Sequence, residues 1–198
     1  MDEDRDFIDL GLATAHDALE NAAGLANLHL KPATITKLAA RRLRQTLKTI
    51  ERAVRMLIIL LAASIELGPV RPRPVRGSDA ARLRGPHKRG FHFLPVNRHP
   101  SQRPDYSALE QVRPRAPGPV PTGPIMDRIQ TVFGLMRNPE PAARRLARRI
   151  EKLRALKVRA PTFGPITHLY RFNAEFGLIA AGLPDFIRQA HSAWYDSG

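Results

Sequence analysis

Leu43-Arg44-Gln45-Thr46-Leu47-Lys48-Thr49-Ile50-Glu51-Arg52-Ala53-Val54-Arg55-Met56-Leu57-Ile58-Ile59-Leu60-Leu61 is the stretch on which the fold turns. Its residues Leu43, Leu47, Ile50, Val54, Leu57 and Leu61 recur at spacings of 4, 3, 4, 3 and 4, the heptad seam of a helix that buries one side. Arg41, Arg42, Arg44, Lys48, Arg52 and Arg55 fall on its other faces. Thr34 or Thr36 is placed to cap the start, and Gly68-Pro69 stops the helix after Leu67. At ~1.5 Å per residue such a helix is about 50 Å long.

Between Met56 and Ile65 the helix turns apolar all round. Ten residues are too few for a membrane span, which needs about 20, so the run reads first as a buried core helix. The alternatives are a segment lying in a membrane surface or a docking surface for a partner protein. In every case it demands a cover.

Upstream, Ile8, Leu12, Ala15, Leu19, Ala22 and Ala26 form the slim stripe of an amphipathic helix from about Asp4 to His29, broken by Lys31-Pro32. Residues 1–33 carry net charge −5 and residues 34–67 net charge +5. A short connection between two seamed helices of opposite charge predicts an antiparallel hairpin. The same seam is also able to pair two copies of the chain, so a homodimer is a second expectation.

Downstream, twelve of the eighteen prolines fall between Pro69 and Pro124, among arginines and few apolar residues. With little apolar surface to offset ordering entropy, this stretch reads as a largely disordered Pro/Arg-rich linker. Three or four helices follow. Pro124 opens one over Ile125 to Arg137. Asn138-Pro139-Glu140 starts the next, Glu140 to Val158, with Ala143, Leu146, Ile150 and Leu153 on a stripe ringed by arginine. Leu169, Phe172, Phe176, Ile179 and Leu183 mark another that Pro184 is expected to end, with a short helix beyond. Seven of the twelve aromatics lie between Phe163 and Tyr195, so this region is the expected cover for the apolar run. The predicted fold is all-α: a helical hairpin over 4–67, a linker over 68–123, and a C-terminal helical region over 124–198.

The 32 basic residues, 26 of them arginine, give a net charge of +14. Without cysteine there is no disulfide, thiolate nucleophile or cysteine-held metal, and the acidic start Met1-Asp2-Glu3-Asp4-Arg5-Asp6 is no signal sequence, so the expected location is cytoplasmic. Phosphate loops, dinucleotide fingerprints, nucleophile elbows and zinc-protease motifs do not occur. Asp2, Asp4 and Asp6 have the spacing of a calcium loop's first ligands, but Phe7 and Ala13 stand where its glycine and glutamate belong. His87, His92 and His99 read as solvated linker residues, and no metal, cofactor or small-molecule substrate is expected. An enzyme assembled from Asp185, His168 or His191 near Tyr170 is the weakest alternative.

The charge surplus is the informative signal. Residues 125–160 carry +7 with no acidic helix to match them. The expected function is therefore a non-enzymatic binding or scaffold protein for an anionic partner, nucleic acid first and an acidic protein second. Arg144, Arg145, Arg148, Arg149 and Lys152 would meet phosphates, helped by Arg41, Arg42 and Arg44. In the linker, Lys88 and Arg89 would join them, with Phe91 or Phe93 stacking on unpaired bases.

Overall fold

The computed structural model describes residues 2–68, 93, 118–158 and 160–192, and among them the chain is mostly helical. Thr36 begins the central helix, α2 (Lys37–Ser64), its hydroxyl accepting the Ala39 N–H at 3.2 Å. The seam is buried throughout, Leu43 at 3% exposure and Leu47, Ile50, Val54 and Leu57 at 0%. Past Val54 the burial spreads round the whole helix, and Met56 to Ala62 are all buried. The helix ends at Ser64, three residues short of the expected Leu67. Ile65 turns extended, and the Ser64 hydroxyl donates to the Leu61 carbonyl.

Preceding it, α1 (Asp2–Leu25) lays Ile8, Leu12, Ala15, Leu19 and Ala22 along α2 in antiparallel fashion. The reversal uses two left-handed residues, Asn27 (φ 52°) and Lys31 (φ 50°), on either side of a 3-10 turn, Leu28–Leu30. Asn tolerates this conformation, and Leu28 anchors the turn in the core. Gly11 lets the two helices approach: a Cβ there would lie 2.6 Å from Leu57 Cδ2, with Ile179 of the last helix close behind. Among the described residues no ion pair joins α1 to α2, and the two helices pack through buried apolar side chains.

The C-terminal end of the expected linker is structured. Val120–Pro121 (β2) pairs antiparallel with Thr34–Ile35 (β1), Thr34 opposite Pro121. Thr122 is buried, and its N–H and hydroxyl donate to the Ala33 and Pro32 carbonyls, tying this segment to the hairpin turn. Phe93 is half-buried against the core.

From there α3 (Gly123–Arg137), with Pro124 in its first turn, and α4 (Glu140–Ala155) follow. A 3-10 turn, Leu169–Arg171, leads into α5 (Ala174–Ser192). Helices α1, α3, α4 and α5 all touch α2. A single cluster of buried side chains runs from Ile8 to Ile187, so residues 124–192 share the hairpin's core.

Two expectations about the last region need correction. Leu169 and Phe172 precede the helix, and Pro184 does not end it. Phe176, Ile179, Ala180, Leu183, Ile187 and His191 form one buried stripe that passes straight through the proline. Proline inside a helix costs about 3 kcal/mol, whereas burying Leu183 and Ile187 stabilises by ~1.5–3 kcal/mol each. Beyond the proline, Phe186 also stacks on Phe7 with ring centroids 4.4 Å apart.

Candidate functional site

The strongest cationic feature is the outer face of α4. Ala142, Ala143, Leu146, Ala147 and Ile150 face inward, and the remaining arc presents Arg144, Arg145, Arg148, Arg149 and Lys152, all exposed. With helical spacing these five cations occupy ~12 Å of axis. Arg144 bonds Glu140 at 3.2 Å, and Glu140 is also held by Arg5 of α1 at 3.3 Å. Among the described residues, the side chains of Arg145, Arg148, Arg149 and Lys152 make no ion pair or hydrogen bond. The strip is therefore a solvated positive field that keeps its charge for a ligand.

Arg41, Arg42 and Arg44 lie on the first turns of α2, Arg41 and Arg42 exposed and Arg44 half-buried. Arg41 and Arg42 line a groove of about 1030 Å³ between the end of α1, the start of α2 and the Tyr170–Asn173 turn. Both α2 and α5 begin at its rim, capped by Thr36 and by Asn173, whose side-chain oxygen accepts the Phe176 N–H at 3.1 Å. Arg171 is held there by Gln45, at 2.9 Å, and by the Tyr170 hydroxyl, at 3.2 Å. Farther along α2, Arg52 donates to the Gly164 carbonyl at 2.7 Å. Burial pulls Arg55 below its ordinary pKa, which the Glu51 carboxylate opposes and Arg52 and Arg128 reinforce. These later bases thus serve the packing of the bundle.

On the opposite side of α1, a second groove of about 1080 Å³ faces α3 and is lined by Asp9, Asp17, Glu20 and Glu140. His16, Asp17 and Glu20 bring one ligand atom each within 4.8 Å of one another, and the His16 ring packs edge-on against Phe133. His16 is half-exposed and both carboxylates are exposed, an ordinary ion-pair arrangement for neighbours on one helix face. Nothing in the spacing of the sequence singles out these three.

Of the enzyme candidates, the structure sets His168 beside Tyr170, their rings 6.1 Å apart, and holds Asp185 and His191 elsewhere on α5. His168 and Tyr170 stand before α5, Asp185 bonds Arg188 at 2.8 Å, and His191 lies near the far end of the helix against Phe163. Lys88, Arg89 and Phe91 lie outside the described residues. Phe93 packs against the core instead of standing out to stack on a base.

The proposed interface residues Leu43, Leu47, Ile50, Val54, Leu57 and Leu61 are covered by the chain's own helices. A homodimer through that seam would have to open the bundle, since no part of the seam faces solvent. Of segment 56–65, Met56 to Ala62 are buried in the bundle for the same reason, whereas Ala63 and Ser64 are exposed. Among the described residues, no helix is long and apolar enough to cross a membrane.

Compared with known proteins, the chain matches no family model, and neither a curated protein nor a solved structure is similar enough to count as a match. Its function is therefore read from its own surfaces.

Proposed function

We propose that this is a non-enzymatic binding protein whose arginine surfaces engage a polyanion, with nucleic acid as the partner and an acidic protein as the competing one. The observation that carries the reading is the outer face of α4. Five cations share one exposed arc, and only Arg144 among them has an acidic partner among the described residues. Arginine suits this role because its planar fork meets a phosphate through two hydrogen bonds and never loses its charge. Burying a cationic strip of this kind against an acidic helix of the same chain would have cancelled it. Asp9, Asp17 and Glu20 of α1 instead line the groove shared with α3 and the start of α4.

Fluorescence anisotropy with labelled nucleic acid, run from low to physiological salt, tests the reading. Arg144→Gln, Arg145→Gln, Arg148→Gln and Arg149→Gln together should weaken binding at physiological salt. On duplex DNA the slope of log affinity against log salt should fall by ~0.9 for each phosphate that the variant no longer neutralises. Affinity and slope equal to those of the wild type would remove the proposal. All four side chains are exposed, so the variant is expected to keep its helical circular dichroism.

A further inference from the structure

The groove beside Arg41 and Arg42 differs from the α4 strip in having apolar walls. Leu25, Leu38 and Tyr170 are 82%, 59% and 78% exposed, and they line the same concavity as the two arginines and Arg171. Tyr170 is held by its neighbours. Arg171 lies with its guanidinium carbon 5.4 Å from the ring centroid and is itself fixed by Gln45 of α2. His168 meets the ring edge-on at 6.1 Å and occupies the left-handed region, φ 66°, in the tight turn that presents the tyrosine. An exposed aromatic face, set beside an arginine plane and two cations without side-chain partners among the described residues, matches what an unpaired nucleotide needs. The base stacks, and its phosphate is neutralised.

We infer that this groove seats a nucleotide of a single-stranded nucleic acid, its base against Tyr170 and the Leu25 and Leu38 side chains and its phosphate on Arg41 and Arg42. The inference rests on the polyanion reading above and makes it sharper. The α4 strip attracts any polyanion, whereas the groove accepts only a strand whose bases are out of the helix. In a duplex the base faces are already stacked on one another, so Tyr170 has nothing to cover. Charge complementarity supports the occupant, because Arg41, Arg42 and Arg171 outnumber Asp17, the one acid lining the groove.

The test uses the full-length chain with a labelled twelve-nucleotide single strand, as RNA and as DNA, and with the matching duplex, all at physiological salt. Wild type should bind the single strands more tightly than the duplex. Tyr170→Ala should weaken single-strand binding by about 5- to 150-fold, the range that removing one stacked base produces, and leave duplex binding unchanged. Tyr170→Phe, which keeps the ring and removes the hydroxyl, should retain most of the single-strand affinity. Arg41→Gln with Arg42→Gln should weaken single-strand binding more than duplex binding. Single-strand affinity unmoved by Tyr170→Ala, or moved no more than that for duplex, overturns the groove while leaving the α4 reading in place. A wild type that binds neither probe overturns both. Poly-glutamate displacing the single strand from wild type but not from Tyr170→Ala would make the occupant an acidic protein and overturn the inference.

Discussion

His191 shows how little of a side chain's role its sequence position reveals. It lies near the end of α5, 7% exposed, against the Phe163 ring. Burial drives its pKa below the ordinary 6.5, the Arg154 charge adds to this, and a hydrogen bond with the Pro161 backbone opposes it. The imidazole is therefore neutral in the folded chain over a range where the unfolded chain takes up a proton. Above 6.5 neither state binds that proton, and stability is unaffected by it. As the pH falls below 6.5 towards the folded-state pKa, only the unfolded state gains it, so stability drops by up to ~1.4 kcal/mol per pH unit. Denaturant unfolding at a series of pH values should show this loss in wild type, and His191→Gln should flatten it by that amount. Equal slopes in the two proteins would show that His191 titrates as freely when folded as when unfolded. In the sequence His191 is one of several single histidines on helices. Only the return of Arg154, Pro161 and Phe163 to its side sets its chemistry.

Among elements, the contact between α2 and α3 depends on a charge pair that the periodicity does not announce. Glu51 lies beside the seam with its side chain 10% exposed, and Arg128 of α3 grips both of its carboxylate oxygens. That bond also raises the Arg128 pKa, against the opposing effect of its own partial burial. Arg128→Met strands the carboxylate and should cost about 2–3 kcal/mol of unfolding free energy, less than for a fully buried pair because Arg55 also faces Glu51. Glu51→Leu combined with Arg128→Met should recover most of that loss, since a packed apolar pair needs no solvation. A double variant no more stable than Arg128→Met alone would mean that the pair itself, and not the stranded charge, holds α3 in place. Two element starts were legible because a local signal acted alone. Thr36 caps α2 and Pro124 opens α3 because capping and the missing proline N–H are effects of the first turn. Pro184 was misleading because its local cost competes with burial that only the bundle supplies.

At the scale of the whole molecule, the hairpin and the C-terminal helices share one hydrophobic cluster. Met56 to Ala62 belong to the hairpin by sequence, yet α4 and α5 complete their cover together with α1. Hydrogen exchange should therefore show the amides of residues 56–62 opening only with the global transition, and those of the buried turns of α5 sharing its denaturant dependence. Protection in α2 that survives unfolding of α4 and α5 would mean that the hairpin stands alone as a domain. Net charge acts at this scale too. At +14 the chain repels itself, so added salt should stabilise the fold while weakening its hold on a polyanion.

What the sequence determined by itself was local or periodic. The heptad seam, the apolar run, the hairpin and the basic arc of α4 all follow from residue spacing along one helix, where 3.6 residues per turn set which side chains share a face. The tertiary structure decided what lies against each face. It turned the seam and the apolar run inward, set Asp9, Asp17 and Glu20 of α1 along the groove that faces α3, and carried a helix through Pro184. It also joined Arg41 and Arg42 to Tyr170 and Arg171, more than 120 residues away in the chain. Spacing along a chain fixes directions within an element, whereas contacts between elements depend on how several faces compete for one core.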